Sequence, residues 1–234
     1  MDSLLRPPIA FAHRGARAHA PENTLEGFTL ALKLGATGLE SDVWLTADGE
    51  AVLDHDGVVG GLRRKRIGGL ARDALPEHIP TLDELYATCG TDFELSLDVK
   101  DAAAAERVVA VARAAGGDAV GKLWLCHSDW EQVAAWRGLS DDVKLVDSTR
   151  LRRIREGLER RAATLADVGV DAVNMHHTDW TGGLTTLFHR FERYCFGWDA
   201  QYDHVLSGLL AMGVDGVYSD HVDTMMAALA DHQR

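Results

Sequence analysis

Residues 38–56 read Gly-Leu-Glu-Ser-Asp-Val-Trp-Leu-Thr-Ala-Asp-Gly-Glu-Ala-Val-Leu-Asp-His-Asp, an apolar run interrupted by acidic residues. Side chains alternate between the two faces of a strand, so Glu40 and Asp42 are expected to point the same way. The Asp-Gly pair at 48–49 predicts a turn. A second extended run then leads to His55. The stretch therefore predicts two acids and a histidine near one end of a hairpin-like unit.

Two interpretations of Glu40 and Asp42 remain open on this local pattern. Neighbouring carboxylates repel each other unless a proton or a cation lies between them, and oxygen ligands favour a hard cation such as Mg²⁺ or Ca²⁺. Alternatively, the two acids form the solvated face of an antiparallel strand. The local pattern does not distinguish a metal site from a solvated strand face, so residues elsewhere in the chain are needed.

The alternation of a strand with a helix recurs eight times along the 234 residues. This order favours parallel strands covered by helices, and eight units predict a closed (β/α)₈ TIM barrel. We expect a single domain over residues 1–234, with a short insertion loop at 57–80 after the second strand. The predicted strands are 9–12, 38–45, 93–99, 122–126, 144–146, 172–175, 194–198 and 216–218.

Three of the predicted helices have testable boundaries. Thr81 begins one of them with a Thr-x-x-Glu capping box, which pairs the side chains and backbone of its first turn. Asp101 is the predicted cap of an alanine-rich helix that ends at Ala115. The stretch from Leu151 to Val168 is predicted to be largely helical.

Polar residues gather at the predicted C-terminal ends of the strands, where TIM barrels carry their chemistry. These residues are His13, Arg14, Glu40, Asp42, Asp98, Lys100, His127, His176, Trp198, Asp199 and Asp220. Asp98 and Lys100 share one face of their strand. Three acids on adjacent strands can therefore converge on one cation, with Lys100 and Arg14 beside it.

This combination of side chains suits a site that binds and cleaves a phosphate ester. It contains carboxylates, histidines, an arginine and a lysine. A metal and cationic side chains neutralise phosphate oxygens, and histidines exchange protons near neutral pH. His13 and His55 are the candidates for an acid–base pair. For His127 and His176 a pocket-lining or structural role is favoured.

The net charge of −12 disfavours nonspecific binding to nucleic acid or stable association with an anionic membrane. Cys89, Cys126 and Cys195 show no ligand spacing and predict reduced thiols in the cytoplasm. We find no signal peptide pattern and no window apolar enough to span a membrane. The basic runs 63–66 and 152–155 are interpreted as exposed segments that could guide an anionic substrate.

The chain resembles the glycerophosphodiester phosphodiesterase family along most of its length. The similar stretches are His13-Arg14-Gly15, Pro21-Glu22-Asn23-Thr24, Glu40-x-Asp42-Val43, Thr46-x-Asp48-Gly49, His55-Asp56, Ile79-Pro80-Thr81-Leu82-Asp83-Glu84, Gly213-Val214-Asp215-Gly216 and Ser219-Asp220. Each motif is short, but their combination in this order is highly specific.

The resemblance implies a metal-dependent barrel hydrolase that cleaves glycerophosphodiesters to glycerol 3-phosphate and an alcohol, with Mg²⁺ or Ca²⁺ as cofactor. By matching position, the implied metal ligands are Glu40, Asp42 and Asp98, and the implied acid–base pair is His13 and His55. The implied phosphate-binding residues are Arg14 and Lys100, with Glu22 in support and Trp198 walling the glycerol pocket.

The chain also departs from the family pattern. Asp98 stands where the family usually has a glutamate, which has one more methylene. Trp198-Asp199-Ala200-Gln201 replaces a tryptophan-threonine-x-asparagine motif, Cys126-His127-Ser128 replaces a common aromatic, and the 57–80 insertion is short. Two alternative functions therefore remain. One is a related phosphodiesterase that acts on lysophospholipids or phosphoinositol-type diesters, and the other is a catalytically silent barrel that binds phosphate. The sequence sets neither the alcohol, nor the preferred metal, nor the oligomeric state, nor the choice between water and an internal hydroxyl as nucleophile.

Overall fold

The computed structural model describes residues 2–60 and 64–233. Its strands are β1 (Ile9–Ala12), β2 (Gly38–Leu45), β3 (Ala51–Leu53), β4 (Val58–Val59), β5 (Lys65–Arg66), β6 (Glu94–Val99), β7 (Leu123–His127), β8 (Lys144–Thr149), β9 (Ala172–His176), β10 (Tyr194–Trp198) and β11 (Gly216–Ser219). Its α-helices are α1 (Leu25–Lys33), α2 (Leu82–Cys89), α3 (Ala104–Ala115), α4 (Trp130–Ala135), α5 (Leu158–Asp167), α6 (Gly182–His189), α7 (Asp203–Ala211) and α8 (Val222–His232).

Eight parallel strands close into a barrel in the order β1-β2-β6-β7-β8-β9-β10-β11. β11 pairs back onto β1, with Ile9 opposite Gly216, and β1 pairs with β2, with Phe11 opposite Gly38. β3 lies outside this ring and pairs antiparallel with the end of β2. The predicted (β/α)₈ TIM barrel is confirmed.

Apolar residues pack on both sides of the barrel wall. Outward-facing residues such as Ala10 and Leu39 join the large core beneath the helices. Inside the barrel, the rings of Phe11 and Tyr218 stack with centroids 4.6 Å apart, and Phe196 meets Phe11 edge-on at 5.6 Å. These aromatic rings fill the middle of the barrel, and the polar residues beyond them, at the C-terminal end, face a separate opening.

The connection between β3 and α2 contains the predicted insertion. It carries the short β4–β5 hairpin and two 3₁₀ turns, and Ile67, Leu75 and Ile79 pack with Val52 in a small separate core. Residues 61–63 of the insertion, including Arg63 of the basic run, lie outside the described residues. The Thr81 capping box that begins α2 is present as predicted.

One predicted helix cap is wrong, and one predicted helical stretch is divided in two. α3 begins at Ala104 with no side-chain cap, and the Asp101 carboxylate instead accepts the Ala103 N–H at 3.0 Å in the preceding turn. The stretch 151–168 is largely helical as predicted, but it consists of a 3₁₀ turn at Leu151–Arg153 and of α5, separated before Gly157, whose φ of 99° no continuous helix allows. Within the described residues, no helix is both long and apolar enough to cross a bilayer.

Candidate active site

A cavity of about 470 Å³ lies at the C-terminal end of the barrel. Eight of the nine predicted site residues line it: His13, Arg14, Glu40, Asp42, His55, Asp98, Lys100 and Trp198. The other lining residues are Ser96, Ser148, Thr149, Arg150, Arg152, Arg153, Asn174, Asp199 and Tyr218. Glu22 is the predicted site residue that does not line it.

Strand register brings the three acids together. Asp42 on β2 lies opposite Asp98 on β6, and Glu40 lies opposite Ser96, so all three carboxylates face inward on neighbouring strands. One oxygen from each of Glu40, Asp42 and Asp98 lies within 4.8 Å of the others. Glu40 is 7% exposed and Asp42 is 3% exposed, which excludes the solvated-face interpretation of these two acids.

The donor set suits a hard divalent cation. Asp42 Oδ2 is buried and accepts no hydrogen bond from the described residues, although Arg14 Nε lies 3.5 Å away. Lys100 Nζ lies 2.8 Å from Asp42 Oδ1 and 3.1 Å from Asp98 Oδ2. An unused buried oxygen within a cluster of carboxylates is the arrangement that Mg²⁺ or Ca²⁺ binds. The side chains of Glu40, Asp42 and Asp98 therefore fit the cation that the sequence predicts.

Burial and mutual repulsion shape the protonation of this cluster. Burial raises the pKa of Glu40 to about 7, with Asp42 and Asp98 adding to the rise and His13 opposing it. Burial lowers the pKa of Lys100, but Asp98 and Asp42 outweigh it, so the pKa of Lys100 stays above its ordinary value. The ammonium group therefore remains charged beside the acids.

His13 is held in place from the end of β11. Its Nδ1 lies 2.5 Å from Asp220 Oδ1, while its Nε2 lies 3.8 Å from Glu40 Oε2. Burial lowers the pKa of His13, but Glu40 and the hydrogen bond to Asp220 outweigh it and raise the pKa above its ordinary value. Asp220 thus occupies one ring nitrogen and leaves the other facing the acids.

The role of Asp220 was not predicted, although its position after the last strand was noted. Its carboxylate also lies 3.3 Å from Arg17 Nη1, and its backbone N–H donates to Gln201 Oε1 at 2.9 Å. Gln201 belongs to the motif that departs from the family pattern. The signal that could have identified Asp220 is an acid directly following a strand that neighbours the one carrying His13.

Arg14 ties the first strand to the acids and to Glu22. Its backbone N–H donates to Glu40 Oε2 at 2.9 Å, and its Nη1 lies 3.1 Å from Glu22 Oε2. Glu22 also lies 2.6 Å from Arg17 Nε. Glu22 therefore lies outside the cavity and contacts two arginines, one of which, Arg14, lines it.

His55 is positioned by a tight loop after β3. The Asp54 carboxylate accepts the Gly57 N–H at 2.7 Å, and the Asp54 N–H donates to the Asp42 carbonyl at 3.1 Å. Gly57 has a φ of +66°, and a Cβ there would lie 2.3 Å from the Trp44 ring. The loop therefore requires glycine, and it places His55 at the cavity rim with Nδ1 2.9 Å from Asp56 Oδ1.

The opposite side of the cavity contains residues that were not predicted to belong to the site. β8 continues to Thr149 rather than ending at Val146, and the residues that follow it line the cavity. Arg150 Nε lies 2.5 Å from Asp179 Oδ2, and its guanidinium lies 5.6 Å from the Trp198 ring centroid. Arg152 and Arg153, from the run 152–155 that was predicted to be exposed, also line the cavity.

His127 and His176 both have local partners. His127 Nδ1 accepts the Asp129 N–H at 3.1 Å, and the ring lines a small neighbouring cavity of about 160 Å³. His176 Nε2 lies 3.1 Å from Asp199 Oδ2, and its ring meets Trp198 edge-on at 4.6 Å. Neither histidine lines the main cavity.

Comparison with known proteins identifies relatives of this chain. Residues 13–106 match the sequence model of the glycerophosphoryl diester phosphodiesterase family. A glycerophosphodiester phosphodiesterase from Caldanaerobacter subterraneus subsp. tengcongensis is 43% identical over 75 residues, which cover 32% of this chain and 30% of that protein. The matched stretch thus spans less than a third of that relative. The protein YhdW of Bacillus subtilis is 26% identical across 91% of this chain and 94% of its own length.

Solved structures share the fold across nearly the full length. A glycerophosphodiester phosphodiesterase from Thermotoga maritima has a TM-score of 0.79 and 22% identity, covering 94% of this chain and 97% of its own. A phosphodiesterase from Oleispira antarctica, solved with the product sn-glycerol-3-phosphate, has a TM-score of 0.79 and 20% identity, covering 95% and 97%. These structures share the barrel fold with this chain. The chain is similar to the glycerophosphoryl diester phosphodiesterase family in sequence over residues 13–106 and in fold over nearly its whole length.

Proposed function

We propose that this protein is a metal-dependent phosphodiesterase that hydrolyses glycerophosphodiesters to sn-glycerol 3-phosphate and an alcohol. The observation that carries the proposal is the clustering of three carboxylates, two cationic side chains and two histidines around one cavity. The match of residues 13–106 to the glycerophosphoryl diester phosphodiesterase family supports it, as does the similar Oleispira antarctica structure that was solved with sn-glycerol-3-phosphate.

Glu40, Asp42 and Asp98 would hold the divalent cation, which we propose to be Mg²⁺ or Ca²⁺. Bound there, the cation would neutralise charge on the phosphate oxygens. Asp98 is included despite its shorter side chain, because its carboxylate lies in the same oxygen cluster as the other two acids.

Arg14 and Lys100 would bind the phosphate of the diester. Both line the cavity, and both already lie against Asp42, so their positive charges sit next to the acids rather than at the rim. Fixed cations in a partly buried site stabilise the extra negative charge that builds on the phosphate during attack. Glu22 would support Arg14, which it contacts outside the cavity.

His13 and His55 would carry the protons. One histidine takes the proton from the attacking hydroxyl as the new P–O bond forms, and the other gives a proton to the alkoxide as the old bond breaks. Asp220 would act on His13 as a positioning residue, because its hydrogen bond fixes Nδ1 and leaves Nε2 for proton transfer. Trp198 would provide the apolar wall against which the glycerol carbons pack.

The test is turnover by the purified protein. With Mg²⁺ or Ca²⁺ present, glycerophosphocholine and glycerophosphoethanolamine should release sn-glycerol 3-phosphate, and EDTA should abolish the release. Failure to turn over any phosphodiester, lysophospholipids included, with every divalent metal tried would refute the proposal and leave a phosphate-binding barrel.

We also infer a cytoplasmic location and a single domain over residues 1–234. Cys126 and Cys195 are buried free thiols and Cys89 is a half-buried one, which suits a reducing compartment. Cell fractionation tests the location. One cooperative unfolding transition would agree with a single domain, whereas two separate transitions would contradict it.

A further inference from the structure

Arg152 and Arg153 form an arginine wall on the side of the cavity that faces β1. They lie in a 3₁₀ turn that directly follows β8, which sits four strands from β1 in the ring of eight. Both residues line the cavity. They are therefore separated from Arg14 and Lys100, which belong to the side that carries the acids.

The two arginines of this wall differ from the cations elsewhere in the site. Arg14, Lys100 and Arg150 each lie within ion-pair distance of an acid. Arg152 and Arg153 are exposed, and their side chains have no ion pair or hydrogen bond with the described residues. In a chain with a net charge of −12, two unpaired guanidinium groups at one cavity create a local positive field.

A polar floor lies on the same side of the cavity. Asn174 on β9 and Ser148 on β8 occupy paired positions and both line the cavity. Asn174 is 6% exposed, and its Oδ1 is buried without a hydrogen-bond partner among the described residues. A buried amide oxygen that lacks a donor is unfavourable unless a ligand or water supplies one. This floor is suited to a ligand that carries hydroxyl or amino donors.

We propose that Arg152 and Arg153 form a second anion-binding subsite, so that the protein prefers glycerophosphodiesters whose alcohol carries a further phosphate or carboxylate group. The inference rests on the proposed function, which already assigns the diester phosphate to Arg14 and Lys100. The arginine wall then receives a second negative group on the leaving alcohol, and the polar floor receives its hydroxyl or amino groups. Alcohols that carry only a cation, such as choline, are repelled by the same wall.

Two matched substrate pairs test the preference in the metal-loaded protein. Glycerophosphoinositol and its 4-phosphate differ by one phosphate, and glycerophosphoethanolamine and glycerophosphoserine differ by one carboxylate. We expect a higher kcat/KM for the anionic member of at least one pair, and the two pairs show which anion the wall takes. Raising the ionic strength should reduce the preference, because exposed charges are screened.

The double variant R152Q/R153Q should lower the preference by about 2- to 30-fold, since it removes two exposed charge pairs and each such pair contributes only modestly. Arg155→Gln is the matched control, because Arg155 is exposed on the same segment but does not line the cavity. It should leave the preference unchanged. Both changes are at exposed positions, so the melting temperatures should remain close to that of the unmodified protein.

Three results would overturn the inference. Equal or lower kcat/KM for both anionic substrates would remove the preference while leaving the proposed function intact. An equal loss on all four substrates in R152Q/R153Q would show that the wall acts only on the shared phosphate. Turnover of none of the four would refute the proposed function itself, and with it the subsite.

Discussion

The acid side and the arginine wall of this cavity are built in opposite ways. Glu40 and Asp42 are 7% and 3% exposed, lie within strand β2, and face partners fixed by the register with β6. Arg152 and Arg153 are exposed and follow the end of a strand, and their side chains have no polar partner among the described residues. One side is rigid and preorganised, whereas the other has side chains free to adapt.

The difference suggests a division of roles. Preorganised charges lower a reaction barrier, because they need no rearrangement as charge develops. Exposed, mobile charges contribute little to a barrier, but they can discriminate between ligands of different charge. Changes on the acid side should therefore slow every substrate, and changes in the arginine wall should alter which substrate is preferred.

The largest expected effect is on the acid side. His13→Ala and His55→Ala should each lower kcat by about 10²- to 10⁴-fold, because each removes a proposed proton-transfer group. The measurement is steady-state release of sn-glycerol 3-phosphate from any cleaved diester. His78→Ala is the control, since His78 is exposed and does not line the cavity. Wild-type turnover in either His13→Ala or His55→Ala would refute that residue's role.

A smaller loss of kcat is expected when Asp220, the hydrogen-bond partner of His13, is changed. Asp220→Asn should lower kcat by about 10- to 100-fold, because a neutral amide holds the imidazole less firmly than a carboxylate does. KM should change little, since Asp220 does not line the cavity. Asp223→Asn provides the comparison, because Asp223 pairs with His19 on the surface. A loss confined to KM in Asp220→Asn would argue against a positioning role.

The metal requirement gives a further test of the acid side. Asp98→Asn should raise the Mg²⁺ or Ca²⁺ concentration needed for half-maximal activity by about tenfold or more, because one negative ligand is lost. Asp98→Glu should retain metal binding, since the glutamate common in the family keeps the charge. Titration of activity with metal measures both variants. An unchanged titration curve for Asp98→Asn would remove Asp98 from the proposed ligand set.

The smallest effect on activity is expected away from both sides. Thr81→Ala removes the cap of α2 and should lower the free energy of unfolding by about 1 kcal/mol. Thermal or denaturant unfolding measures this loss. The ratio of kcat/KM between substrates should stay unchanged, and a changed ratio would show that the cavity is less independent of the scaffold than we infer.

The fold and the acid side could be predicted because each rests on a local pattern. The alternation of strands and helices identifies the barrel, and the two-residue spacing in Glu40-x-Asp42 and Asp98-x-Lys100 places these side chains on one face. The family motifs coincide with the same residues. Local pattern and tertiary position agree wherever a strand is mostly apolar.

The arginine wall could not be predicted, because the strand before it lacks an apolar local pattern. β8 ends in Asp147-Ser148-Thr149, whose polar side chains resemble a loop in sequence. Asp147 is buried, and its Oδ2 lies 2.6 Å from Arg161 Nη1 on α5, a contact between residues 14 positions apart that the pattern does not reveal. The Asp220–His13 contact joins the last strand to the first, across 207 positions. Such contacts become visible only once the barrel is closed.

The most direct measurement of the division between the two sides compares three proteins on two substrates. We would determine kcat/KM for the unmodified protein, Asp98→Asn and R152Q/R153Q, with glycerophosphoinositol and its 4-phosphate at one subsaturating metal concentration. We expect Asp98→Asn to lower both values by a similar factor and R152Q/R153Q to lower only the value for the 4-phosphate. If both variants lowered kcat/KM by a similar factor on both substrates, the result would contradict our inference that the acid side sets the rate and the arginine wall sets the substrate preference.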